Sequence, residues 1–262
     1  MNFLETVIKY KKSSLIEAKK NVPFKILFAQ LEEIKLQFGS FGKSLSKEGV
    51  RIIAEMKKAS PLAGILCSNY VPAKIAREYS SCGAAAISVL TEEKYFLGSL
   101  DDIKIAKQNS SVPILRKDFI VDEYQLVEAK LAGADTVLLI VAALNKSEIL
   151  NLISFASKIS LECLVEVHTI PELELACECG ANIIGINNRS LETLKVDLNT
   201  GFKMLSVMPK NKITVIESGI KTFDEINSFI SAGVNAFLIG ETIIKSQNPC
   251  NKLKELLGEK VA

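Results

Sequence analysis

The sequence predicts a closed (β/α)8 TIM barrel with an amino-terminal helical extension, and three observations predict it. A motif of a small residue, Gly, Ala or Val, and a small or polar residue recurs before apolar runs: Cys82-Gly83-Ala84-Ala85, Ala132-Gly133-Ala134-Asp135, Cys179-Gly180-Ala181-Asn182 and Ala232-Gly233-Val234-Asn235. These glycines fall roughly 50 residues apart, about twice one strand-plus-helix unit, so each interval holds two units. The apolar runs are continuous, as in Thr136-Val137-Leu138-Leu139-Ile140-Val141, which marks strands covered on both faces. Amphipathic segments with helix-start signals lie between them, including Asp122 before 123–132 and the capping box Thr222-Phe223-Asp224-Glu225. Strict alternation of such pairs favours a closed barrel over an open doubly wound sheet.

Taken in order, residues 1–48 stand outside the repeat. Two helical patterns, 3–19 and 24–37, break near Pro23 and lead to Gly39-Ser40-Phe41-Gly42. Leu27, Phe28, Leu31, Ile34 and Phe38 form an apolar stripe expected to bury itself on the barrel rim. The strands follow at 50–56, 85–90, 112–117, 135–141, 161–167, 182–187, 212–217 and 235–240, each recurring glycine being expected to close a helix in the left-handed conformation. The chain, 1–262, reads as one domain: an extension over 1–48 packed on a barrel over 49–262.

Hydrophobic residues make up 48% of the chain and charged residues 24%, which suits a large core and gives no sign of disorder. A net charge of +2 argues against a nucleic-acid partner. Charges at Glu5, Lys9, Lys11 and Lys12 interrupt the start before a signal peptide can develop, and no stretch approaches a membrane span, so the expectation is a cytoplasmic protein without a membrane partner. The six cysteines, at 67, 82, 163, 177, 179 and 250, follow no framework spacing and are expected as free thiols in a reducing compartment. The single histidine, His168, argues against a His-built metal site and against a Ser-His-Asp triad.

In this fold the active site stands at the carboxyl ends of the strands. Those ends are charged here: Glu55-Met56-Lys57, Arg116-Lys117-Asp118, Glu166, Asn187-Asn188-Arg189 and Glu217-Ser218-Gly219. Glu55 and Lys57 are two apart and share the face of Ile53, so both point into the barrel. Charges there need opposite charges or a ligand beside them. Any one of them alone could be a solvated rim residue or part of an internal salt bridge; Glu55, Lys57, Lys117 and Glu166 together indicate an acid/base site. Ser218-Gly219 and Gly240 lie in the two loops where barrels most often bind phosphate. His168 is read as a surface or capping residue, and Lys9, Lys11 and Lys12 as a solvated helix face. Cys67 follows strand one near the mouth, with nothing local to activate it.

Five segments, Ile53-Ala54-Glu55-Met56-Lys57-Lys58-Ala59-Ser60-Pro61, Leu90-Thr91-Glu92-Glu93-Lys94-Tyr95-Phe96-Leu97-Gly98, Leu115-Arg116-Lys117-Asp118-Phe119-Ile120, Gly185-Ile186-Asn187-Asn188-Arg189-Ser190-Leu191 and Glu217-Ser218-Gly219-Ile220, resemble the indole-3-glycerol-phosphate synthases of tryptophan biosynthesis in order and spacing. The resemblance implies a lyase that closes a pyrrole ring on 1-(2-carboxyphenylamino)-1-deoxyribulose 5-phosphate with loss of carbon dioxide and water, using neither cofactor nor metal. It implies Glu55, Lys57, Lys117, Glu166, Asn187 and Ser218 as catalytic residues. It implies Ser60, Pro61, Phe119, Leu138, Arg189, Leu191, Glu217, Gly219, Gly240 and Glu241 as substrate-binding residues. Lys117 is taken as the acid of ring closure and Glu166 and Lys57 as base and acid of dehydration; Lys57 could instead neutralise phosphate. A phosphorylated small molecule is then the partner, and a monomer is preferred to a homodimer.

Two departures stand out. Many relatives carry Ser-Pro-Ser-Lys-Gly where this chain has Ser60-Pro61-Leu62-Ala63-Gly64, which removes a hydroxyl and a cation from a mouth loop. Glu241 follows Gly240 where some relatives place a small residue, and its side chain is expected to turn away from the phosphate. The residues leave open a Schiff-base aldolase using Lys117 or Lys57, and a scaffold that has lost activity.

Overall fold

The structure, a computed structural model, describes residues 3–33 and 40–260. Eight parallel strands close a barrel in chain order: β1 (Ile52–Met56), β2 (Ala86–Leu90), β3 (Ile114–Lys117), β4 (Thr136–Ile140), β5 (Glu162–Val167), β6 (Ile183–Asn187), β7 (Ile213–Glu217) and β8 (Ala236–Ile239). Closure is made by β1, which pairs Ile52 with Phe237 of β8 on one side and Ile53 with Ala86 of β2 on the other. Gly83, Gly133, Gly180 and Gly233 all take left-handed φ between 81° and 97°, closing helices directly before β2, β4, β6 and β8.

Because side chains alternate along a strand, the barrel has two cores. Ile52, Ala54 and Met56 of β1 face the outer helices, whereas Ile53 joins Leu115, Leu138, Leu164, Ile183, Val215 and Leu238 inside. The register fixes what comes next along the inward face: Glu55 after Ile53, Lys117 after Leu115, Glu166 after Leu164 and Glu217 after Val215. One apolar layer thus supports one charged layer.

The extension touches both ends and the flank. Helix α1 (Phe3–Asn21) lies at the mouth, with Phe3 on the mouth cavity and Lys19 paired to Asp122 at 2.6 Å. Helix α2 (Phe24–Ala29) and a 3-10 turn (Gln30–Glu33) run against α6 (Glu123–Ala132), and Phe24 and Phe28 meet Phe155 of α7 (Lys146–Lys158). Leu31 is buried and Leu27 packs on the outer core, while Phe28 stays 40% exposed. The stripe therefore covers flank helices rather than the rim; Ile34, Phe38 and Gly39 lie outside the described residues. Helix α3 (Ser40–Leu45) plugs the floor with Phe41 and Leu45, and Glu162 at the foot of β5 accepts the free N–H groups of Phe41 and Gly42 at 2.8 and 3.1 Å.

Two further expectations are overturned here. Lys11 is not on a solvated face: it is 3% exposed, on the α1 face shared with Leu4, Val7 and Leu15, and pairs with Asp118 at 2.9 Å and Glu93 at 3.0 Å. Nor are all cysteines free. After α4 (Pro72–Ser81), Cys82 forms a disulfide with Cys250 of α12 (Pro249–Leu256), across a Cα separation of 5.6 Å, because barrel closure brings the last helix beside the first barrel helix. Cys67, Cys163, Cys177 and Cys179 remain thiols. Among the described residues no helix is long and apolar enough to cross a membrane.

Candidate active site

A cavity of about 990 Å³ opens at the carboxyl ends of the strands. All the residues expected in the site line it: Glu55, Lys57, Ser60, Pro61, Lys117, Phe119, Leu138, Glu166, Asn187, Arg189, Leu191, Glu217, Ser218, Gly219, Gly240 and Glu241. Its base is a layer of ion pairs. Lys117 Nζ lies 3.2 Å from Glu217 Oε2 and 3.4 Å from Glu166 Oε2, and Lys57 Nζ lies 2.5 Å from Glu55 Oε1. Glu55, Glu166 and Glu217 are at most 3% exposed, so each carboxylate depends on its neighbours for compensation.

Neighbouring strands make room for these groups. A Cβ on Gly185 of β6 would collide with the Glu217 carboxylate, and one on Gly240 with that of Glu55. At Gly240, which leads into α11 (Glu241–Ile244) with φ of −121°, it is this clearance and not a left-handed backbone that calls for glycine. After β7, Ser218 and Gly219 both take left-handed backbone, with φ of 67° and 91°; for Ser218 this costs about 1 kcal/mol or more. A Cβ on Gly219 would press on Val196 at 2.5 Å and Leu198 at 2.9 Å.

The electrostatics follow from burial and pairing. Burial works against the Lys117 ammonium, but Glu217, Glu166 and Glu55 outweigh it and hold its pKa above the ordinary lysine value. Burial raises Glu217, Lys117 pulls it down, and repulsion from Glu166 and Glu55 leaves it at about 7. Burial also disfavours the Glu166 anion, yet Lys117, His168 and Asn187 together hold it below the usual carboxylate range. The layer therefore contains a fixed cation, a fixed anion and a carboxyl that titrates near neutrality, the inventory of a proton-transfer site.

Several expectations shift in detail. Glu241 does not turn away: it lines the cavity, pairs with Lys245 and lies 3.9 Å from Arg189. Arg189 also donates to Leu194 O at 2.9 Å. His168 is not a surface residue, since its side chain is 8% exposed with Nε2 3.2 Å from Glu166 Oε1. Cys67 misses the mouth and lines a smaller flank cavity with Tyr79 and Cys250. The departing loop forms a hairpin of Ala59–Ser60 against Gly64–Ile65, whose tip residue Leu62 is 61% exposed while also lining the cavity.

Sequence reasoning missed further wall residues. Phe96 sits in a segment that carried the family likeness but was assigned no role, and Lys221 and Lys245 follow strands seven and eight. Phe3 reaches the cavity from α1, packing edge-on to Tyr95 and Phe119. Nothing local signalled that contact. Among the described residues no group of three or more His, Cys, Asp or Glu side chains is arranged to hold a metal ion.

The fold itself is widely shared. A solved 3-hexulose-6-phosphate synthase matches 80% of this chain and 99% of its own length with a TM-score of 0.64 at 17% identity. Orotidine 5'-phosphate decarboxylase from Pyrococcus horikoshii matches with a TM-score of 0.59 at 15% identity, over 79% of this chain and 97% of that one. These likenesses establish the barrel alone. The family model for indole-3-glycerol phosphate synthase, in contrast, matches residues 4–256. The chain belongs to the indole-3-glycerol phosphate synthase family. An indole-3-glycerol phosphate synthase of Thermoanaerobacter pseudethanolicus is 44% identical over 257 residues, covering 98% of this chain and 97% of its own. That of Aquifex aeolicus is 44% identical over 263 residues, covering 98% and 100%. Indole-3-glycerol phosphate synthases are carboxy-lyases of tryptophan biosynthesis, and the match includes the extension as well as the barrel.

Proposed function

We propose that this chain closes the indole pyrrole ring of 1-(2-carboxyphenylamino)-1-deoxyribulose 5-phosphate through Lys117, Glu166 and Lys57. The observation that supports this is Lys117, a buried ammonium held by two carboxylates at the base of a cavity with apolar walls. The aromatic carbon bearing the carboxylate attacks the sugar ketone; the new C–C bond forms as the carbonyl pair moves to oxygen, which takes a proton from Lys117. An ammonium fixed beside that oxygen stabilises the developing charge before it transfers the proton.

Carbon dioxide then leaves, its bond pair restoring the aromatic ring, with Phe119, Leu138 and Leu191 providing the apolar surround that favours loss of charge and Arg189 orienting the carboxylate. Glu166 removes one proton from the CH2 beside nitrogen in the new ring, the C–H pair forming the ring double bond as Lys57 protonates the departing hydroxyl, so that water leaves. Glu55 orients Lys57 and Asn187 orients Glu166. The phosphate is held by Ser218, Gly219 and the backbone at Gly240, while Ser60, Pro61, Glu217 and Glu241 complete the enclosure. We read the chain as one cytoplasmic domain and a monomer, without a nucleic-acid partner.

A Schiff base on Lys117 is disfavoured because its raised pKa leaves little free amine. Borohydride with substrate tests this, since trapping on Lys117 or Lys57 would count against acid catalysis. The decisive assay follows indole fluorescence after the phosphorylated substrate is added, against a chain with no Trp. Absence of product at high enzyme concentration would overturn the proposal.

A further inference from the structure

The single histidine stands where strand alternation puts it: His168 is two residues after Glu166 and so returns to the same side of the β5 end. Its ring is buried between two carboxylates, Nε2 at 3.2 Å from Glu166 Oε1 and Nδ1 at 3.3 Å from Glu172 Oε2 of α8 (Ile170–Glu178). The Nε2 contact is an ion pair lying off the N–H direction, and this buried nitrogen has no hydrogen-bond partner. The Glu172 contact is reinforced, because the same carboxylate oxygen also accepts the His168 backbone N–H at 2.8 Å.

We infer that His168 is a positioning residue for the ring-closing enzyme: with Glu172 behind it, its ring holds Glu166 as the ionised carboxylate of the buried pair, leaving the shared proton to Glu217. The inference rests on the proposed base role of Glu166. The two carboxylates share Lys117 but differ in their other neighbours. Glu166 faces Lys117 from β3, Asn187 from β6, Glu217 from β7 and His168 beyond its own strand. Glu217 faces Lys117, Glu166 and Glu55, and its second oxygen, Oε1, has no hydrogen-bond partner. One anion is doubly compensated and the other is not.

The protonation behaviour agrees with this geometry. Burial lowers the His168 pKa, but Glu166 and Glu172 more than restore it, to about 10, so the ring stays cationic through the working range. With His168 neutralised, the proton that the pair takes up below about pH 7 is no longer directed to Glu217. A general base that gains a proton stops working.

The test compares the full-length enzyme with His168→Gln and His168→Lys. His168→Gln is expected to turn over about tenfold more slowly than wild type at pH 6 and within about threefold of it at pH 8.5, where both carboxyls are ionised. His168→Lys, which restores a cation, should recover most of the loss at pH 6. In protein labelled with ¹³C at Glu side-chain carboxyls, the Glu166 resonance, assigned by its disappearance in Glu166→Gln, should stay ionised from pH 5 to 9 in wild type and titrate in His168→Gln. Equal losses at both pH values, or an unmoved Glu166 resonance, would overturn the inference. Undiminished turnover by Glu166→Gln would instead remove the base role, while the resonance still decides what His168 does.

Discussion

The two ends of this barrel hold charge in opposite ways. At the floor, the Glu162 carboxylate is met by backbone N–H groups of α3, and Phe41 and Leu45 fill the space above it. Each of its oxygens accepts a hydrogen bond made within the fold. At the mouth, Glu55, Glu166 and Glu217 are met by lysines, and the space above them is a cavity. Backbone donors are immovable, whereas lysine ammoniums can give up protons and change partners. The floor uses its carboxylate to tie α3 to the foot of β5, and the mouth keeps charge in a form available to a substrate.

Substitutions at either end can break this contrast. Lys117→Met should give the largest effect, a fall in turnover of about 10³-fold with far-UV circular dichroism unchanged. A variant that kept wild-type turnover would make the mouth charges merely structural. Phe41→Ala should cost about 3 kcal/mol in urea unfolding and leave the turnover of the folded enzyme within about twofold. A large loss of turnover would mean that the floor also shapes the site.

Glu217→Gln sharpens the comparison through pH. The folded Glu217 pKa of about 7 exceeds its ordinary 4.5, so this group favours folding below pH 4.5 and loses that contribution as pH rises through 7. Relative to wild type, Glu217→Gln should therefore gain stability between pH 5 and pH 8, measured as Tm in the two buffers; a constant difference would refute the shared-proton picture. The smallest effect is expected from Ser218→Gly, which relieves a left-handed backbone and should raise stability by about 1 kcal/mol.

What could be read from the sequence was whatever repeats or alternates locally. The strands emerge from apolar runs preceded by glycine, and the inward direction of Glu55, Lys117, Glu166 and Glu217 follows from alternation behind apolar neighbours. The same rule applied to His168 puts it beside Glu166, but a polar residue just past a strand end carries no local sign of burial. Lys11 is a related case: positions 4, 7, 11 and 15 have helical spacing, yet a lysine flanked by Lys9 and Lys12 reads as solvent-facing until Asp118 is brought opposite it by the fold. The disulfide and the docking of Phe3 join residues far apart in the chain, and no local pattern encodes them.

That disulfide also sets how the molecule would yield to mechanical force. Residues 82 to 250 form a covalent loop containing β2 through β8, while β1, with Glu55 and the adjoining Lys57, lies outside it. Tension between the chain ends would bypass seven strands and fall on the two seams where β1 joins β2 and β8. The first part of the barrel to peel away would carry one of its two lysine–carboxylate sites with it.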